Sequence, residues 1–121
     1  MNVALWAVQI ILGVAYLAAG GLKATRPIAS LAKFMPWAGQ VPASFVRFIG
    51  VAELLGAFGL ILPRATGILP ALTVAAALGL VVVQVAAFFF HLSRRETMSL
   101  PANLVLAILA GAVAYGRLIV A

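Results

Sequence analysis

The chain has 121 residues, 66% of them hydrophobic and 8% charged, with a formal charge of +6 and no cysteine. A soluble domain carries about a quarter charged residues, so the composition excludes a water-soluble fold. The missing cysteine excludes disulfides, thiolate catalysis and thiolate-held metal or iron–sulfur centres. The basic residues stand at the ends of apolar runs without interleaved aromatics, which points to lipid headgroups and topology rather than nucleic acid.

Four apolar runs follow one another, at residues 3–22, 44–62, 68–92 and 100–119. Each has the length of about 20 residues that a hydrocarbon core of about 30 Å requires. Only helices and closed barrels satisfy every backbone group in lipid. The runs are continuous rather than alternating, so the pattern predicts one all-α domain, an integral membrane four-helix bundle. The first run has no basic segment before it and reads as a retained span rather than a cleaved signal peptide.

The connections differ in kind. Residues 23–43 form the longest, with Arg26-Pro27, Lys33, Pro36-Trp37 and Pro42. Residues 28–35 suit a short amphipathic turn in the membrane interface, with Trp37 at headgroup depth. The second connection is read as the tight stretch Pro63-Arg64-Ala65-Thr66-Gly67, and the third, residues 93–99, carries Arg94-Arg95-Glu96. Lys23, Arg26, Lys33, Arg47, Arg94 and Arg95 fall on one side of the membrane, and Arg64 and Arg117 on the other. The positive-inside rule then places the first and third connections in the cytoplasm and both termini outside.

The polar residues fall into stripes at helical spacing. Gln9, Gly13, Tyr16, Gly20 and Lys23 share one face of the first helix, and Gly50, Glu53, Gly56, Ala57 and Leu60 one face of the second. Thr73, Gln84 and His91 align in the third, and Asn103, Ala107, Ala110, Ala114 and Arg117 in the fourth. Small residues allow close approach of membrane helices, and polar groups in lipid turn inward. The four stripes are therefore expected to meet along the bundle axis.

Glu53 is the one carboxylate inside an apolar run, and an ionisable group at that depth marks a functional site or a paired ion. Side chains lean toward the N-terminus of their own helix. Lys23 and His91 thus lean inward from one membrane surface while Glu53, on an antiparallel helix, leans out toward them. The three are expected within one water-bridged hydrogen bond of each other, with Gln84 beneath and Asn103 at the same level. Arg47 lies about 120° around the helix from Glu53 and reads as a headgroup anchor. A single histidine and no cysteine leave no metal-ligand cluster.

Four stretches, LAAGGLK, GVAELLGAFGLILP, FFFHLSRRE and PANLVLAILAGAVAYGR, together resemble the DoxX-like family of small bacterial four-helix inner-membrane proteins. The family's Gly-x-x-Glu matches Gly50 to Glu53, its Lys matches Lys23, its His matches His91 and its Asn matches Asn103. The resemblance implies an accessory role: some relatives in the wider group are described as subunits of thiosulfate:quinone oxidoreductases or as partners in membrane oxidoreductase complexes. A quinone or other lipid-soluble ligand is then expected, with no intrinsic cofactor, at the ligand-binding or proton-active candidates Glu53, His91, Lys23, Asn103 and Gln84. Two other readings compete. One is a non-catalytic membrane scaffold or chaperone. The other is a small proton-coupled transporter of the small-multidrug-resistance kind, although that family carries its glutamate in the first helix.

Overall fold

The computed structural model describes residues 1–120. Five α-helices follow in chain order: α1 (Asn2–Thr25), α2 (Ile28–Ala32), α3 (Ala43–Thr66), α4 (Ala71–Ser93) and α5 (Leu100–Ile119). Short 3-10 turns at Pro36–Gly39 and Thr97–Ser99 complete the two longer connections. The four long helices are apolar and long enough to cross a membrane. At about 1.5 Å per residue, α1 and α3 reach about 36 Å, enough to span the hydrocarbon core.

Prolines and turn residues explain where the helices stop. Pro27 disfavours helical backbone in the residue before it, and Arg26 is extended at φ −74° and ψ 148°, which ends α1. Pro42 precedes α3, and Pro101 lies in the first turn of α5, where no intrahelical N–H is needed. Pro63 does not end the second span as its sequence context predicts. It is buried within α3, which continues to Thr66. A proline costs one ladder bond, a loss that membrane helices tolerate when neighbouring helices support the backbone. The stop is Gly67, left-handed at φ 72°, where glycine carries no Cβ penalty. The second connection is accordingly residues 67–70, and the third span begins at Ala71 rather than residue 68.

Around the bundle, α1 packs on α3, α3 on α4, α4 on α5, and α5 back on α1. Sequential antiparallel spans joined by short connections give this ring. Leu12, Tyr16, Ala57, Leu60, Ala77, Leu80, Ala110 and Val113 form the core. Outside it, large apolar side chains such as Val3, Phe48, Leu55, Val82 and Leu118 stay exposed around the whole bundle. An apolar belt of that extent marks a lipid-facing surface, so the protein is a multi-pass membrane protein.

The first connection does more than link α1 to α3. Leu31 and Ala38 are buried with Val46 of α3 in a second, smaller core. The amphipathic turn expected at residues 28–35 is present as α2, and Trp37 caps the end of α4, edge-on to the rings of Phe90 (5.8 Å) and His91 (6.2 Å).

Candidate functional site

The polar stripes read from spacing are the buried faces. Gln9, Gly13, Tyr16 and Gly20 are buried in α1; Gly50, Glu53, Gly56, Ala57 and Leu60 in α3; Thr73, Ala77, Gln84 and His91 in α4. Ala110, Ala114 and Arg117 are buried in α5.

Glu53 meets Lys23. Nζ of Lys23 donates to Oε1 of Glu53 at 2.6 Å, with the side chains 14% and 3% exposed. The two glycines of the neighbouring turns set this contact. A Cβ on Gly20 would lie 2.7 Å from the carbonyl oxygen of Gly50, and one on Gly50 would lie 2.5 Å from the backbone nitrogen of Ala24. The helices therefore cross backbone to backbone at Gly20 and Gly50, the close approach that small residues permit in lipid. One turn on, the crossing presents Lys23 to Glu53. A charge-assisted bond of this length is strong, and at this depth the pair removes two charges from contact with lipid.

Arg47 completes this end of the α1–α3 contact. It was expected to anchor in headgroups; instead Nη1 donates to the carbonyl of Lys23 at 2.8 Å. The last carbonyls of a helix lack intrahelical partners, and a cation there also favours the dipole.

His91 belongs to a separate cluster, and no hydrogen bond joins it to Glu53. Its Nδ1 donates to Oε1 of Glu96 at 2.9 Å, because an ionised carboxylate only accepts. The C-terminal turn of α4 creates this pair. Glu96 N–H bonds the His91 carbonyl at 2.8 Å and Arg95 N–H the Leu92 carbonyl at 3.1 Å, around Arg95 at φ 59°. This is the Schellman pattern, with a left-handed residue after the helix, and it returns Glu96 over the last turn to His91. Arg94 adds a clamp: Nε donates to Glu96 at 3.1 Å, Nη2 donates to Gln40 of the first connection, and its guanidinium lies 5.4 Å over the Phe90 ring. The His91 bond, then Arg94, hold the Glu96 carboxyl below the ordinary glutamate value.

Gln84 and Asn103 form a third group between α4 and α5. Nδ2 of Asn103 donates to Oε1 of Gln84 at 2.9 Å. Oδ1 of Asn103 is buried without a hydrogen-bond partner, and the buried Tyr16 hydroxyl lies beside Gln84. The five candidate residues pair directly as Lys23–Glu53, His91–Glu96 and Gln84–Asn103, with no direct hydrogen bond from one pair to another.

Beside the His91 cluster, an open groove of about 600 Å³ runs between the start of α3 and the end of α4, lined by Val41, Pro42, Ser44, Phe45, Phe48 and Phe90. Its walls are apolar and aromatic. Phe90 joins the groove to the cluster, 5.4 Å from the His91 ring and 6.4 Å from the Phe45 ring. Sequence reading missed Glu96 and Gln40 as partners and took Arg94 for a topogenic charge. The spacing of His91 and Glu96, five residues apart across a helix end, was the available signal.

The comparisons with known proteins bear on this arrangement. A family profile, described as the DoxX-like family, matches residues 7–113. No curated protein and no solved structure matches the chain. The match takes in Lys23, Glu53, His91, Glu96 and Asn103 in their four-span context, and the chain belongs to the DoxX-like family.

Proposed function

We propose that this membrane protein binds a lipid-soluble, ring-bearing ligand of the quinone type in the groove beside His91, and serves as an accessory subunit of a membrane oxidoreductase system. The observation that carries the reading is the aromatic groove of about 600 Å³ whose Phe90 wall packs against a histidine held by a carboxylate. Ligand sites are commonly 300–1,000 Å³ and mostly apolar, with a few convergent polar groups. The Phe45, Phe48 and Phe90 walls suit a flat ring and an isoprenoid tail. Glu96 fixes the His91 ring through Nδ1, which leaves Nε2 to accept from a quinol hydroxyl when neutral, or to donate to a quinone carbonyl when protonated. In this reading Lys23–Glu53 locks α1 against α3 and does not touch the ligand.

The orientation belongs to the same proposal. Several basic residues are engaged internally: Lys23 with Glu53, Arg47 with the Lys23 carbonyl, Arg94 with Glu96 and Arg64 with the Val120 carbonyl. The exposed ones, Arg26, Lys33 and Arg95, all lie at the groove end. That asymmetry favours a cytoplasmic groove in a bacterial inner membrane, with both termini outside.

The test is purification in native lipid followed by mass spectrometry of co-purifying molecules. Quinone is expected to be enriched over an unrelated membrane protein and depleted in Phe90→Ala, while Glu53→Gln retains it. No enrichment in the wild type refutes the ligand. Depletion in Glu53→Gln but not in Phe90→Ala moves the site to the ion pair.

A further inference from the structure

The bundle end opposite the groove carries a buried positive charge with no side-chain carboxylate beside it among the described residues. Arg117, in the last turn of α5, is 5% exposed. Its Nε donates to Oε1 of Gln9 and its Nη1 to Oδ1 of Asn2, both at 2.6 Å, and its guanidinium lies 5.3 Å over the Trp6 ring. Gln9 is itself fixed by donating Nε2 to the Leu60 carbonyl at 2.6 Å. All of these partners are neutral. The remaining nitrogen, Nη2, is buried and has no hydrogen-bond partner among the described residues.

A second cation adds to the imbalance. Arg64, in the last turn of α3, reaches the end of α5 that carries Arg117: it bonds the carbonyl of Val120, whose own N–H bonds the Gly116 carbonyl beside Arg117. It makes one bond, from Nη2 to the Val120 carbonyl at 3.2 Å, and is half-buried. The chain's side-chain carboxylates are Glu53 and Glu96, both engaged at the far end with Lys23 and with His91 and Arg94. A buried, unpaired charge is costly, and an orphaned donor on it more so. Two neighbouring arginines held by neutral groups, with N–H groups to spare, make a recognition site for an oxyanion. The depth agrees: Asn2 begins α1, Arg64 ends α3 and Arg117 ends α5, so the pair lies at the membrane interface, where Trp6 also fits.

We propose that Arg117 and Arg64 form an anion site for a phosphate group, presented by an anionic phospholipid headgroup. Arg64 supplies the approachable donors, Arg117 adds its charge behind them, and Asn2 and Gln9 hold the Arg117 guanidinium in place. This site is independent of the groove, and both operate or fail separately.

The test measures lipid retention by native mass spectrometry on the full chain, with phosphatidylglycerol and phosphatidylcholine supplied in equal amounts. The wild type is expected to retain phosphatidylglycerol selectively. Arg117→Gln and Arg64→Gln are each expected to weaken that retention about fivefold, the usual weight of one basic residue at an anionic membrane. Where Arg117→Gln does not fold, Arg64→Gln, which removes a half-exposed side chain with a single bond, carries the test. Arg26→Gln and Lys33→Gln, at the opposite end, are expected to leave retention at this site unchanged. Inorganic phosphate that displaces the lipid identifies a site for any phosphate; phosphate without effect identifies a headgroup site. Equal retention of the two lipids overturns the proposal, as does selectivity that survives both arginine variants or that falls with Arg26 and Lys33 instead.

Discussion

Breaking the Lys23–Glu53 pair is predicted to destabilise the bundle asymmetrically, depending on which partner goes. In Glu53→Gln the stranded group is Lys23, two residues from the end of α1 and 14% exposed. Its ammonium can swing to the headgroups on a long apolar stem, so the loss approaches that of one charge-assisted hydrogen bond, about 1–3 kcal/mol. In Lys23→Met the stranded group is Glu53, 3% exposed and about 15 Å along α3 from Ala43. A short side chain at that depth has no route to water, and an uncompensated buried charge costs about 3–5 kcal/mol. The double variant Lys23→Met/Glu53→Gln removes both charges and is predicted to recover most of the loss. The assay is unfolding in mixed micelles by sodium dodecyl sulfate, followed by far-ultraviolet circular dichroism, analysed as a double-mutant cycle. Additive losses, or a milder effect of Lys23→Met than of Glu53→Gln, would refute the geometry.

Other perturbations test the supporting structure. Gly50→Ala places a Cβ 2.5 Å from the Ala24 nitrogen and 2.8 Å from the Lys23 carbonyl carbon; it is predicted to cost about 1–3 kcal/mol in the same unfolding assay. Gly21→Ala, with nothing within 4 Å, is the matched control and is predicted to be neutral or to stabilise by up to about 1 kcal/mol. Arg95→Gly relieves a left-handed residue at φ 59° and is predicted to stabilise the turn by about 1 kcal/mol. The Glu96 carboxyl is held low by His91 and Arg94. Its contribution is therefore complete above the ordinary glutamate value and lost as pH falls through the lowered one. The carboxyl carbon resonance of Glu96 is predicted to titrate below the ordinary glutamate value; titration at or above that value contradicts the pairing. Because the chain has no cysteine, Lys33→Cys and Ile68→Cys report topology directly. A membrane-impermeant thiol reagent applied outside intact cells is predicted to label Ile68→Cys and not Lys33→Cys.

The spans and the buried stripes were legible because in lipid both signals are strong: apolar length sets the spans, and the cost of an exposed polar group sets which face turns inward. Lys23 and Glu53 followed from the same logic, since antiparallel helices lean their side chains toward each other. Pro63 misled because proline reads as a stop, whereas the bundle supports the backbone through it and Gly67 ends the helix. His91 was placed near Glu53 by its height and its lean toward the helix N-terminus. Its actual partner depends on a Schellman turn whose left-handed residue is Arg95, with no glycine to announce it. Arg47 and Arg94 looked topogenic because charge counting is blind to carbonyls and to Gln40. The groove has no periodic signal: it arises where Val41 and Pro42 of the first connection meet Phe45 and Phe90.

Trp37 gives a direct readout of a quinone-type ligand in the groove, because its ring packs on Phe90, a groove wall. A water-soluble short-chain quinone is titrated into the purified Trp6→Phe protein while Trp37 emission is followed. Saturable quenching is expected, abolished by Phe90→Ala and left intact by Glu53→Gln. Linear, unsaturable quenching identical in all three proteins would contradict a ligand in the groove.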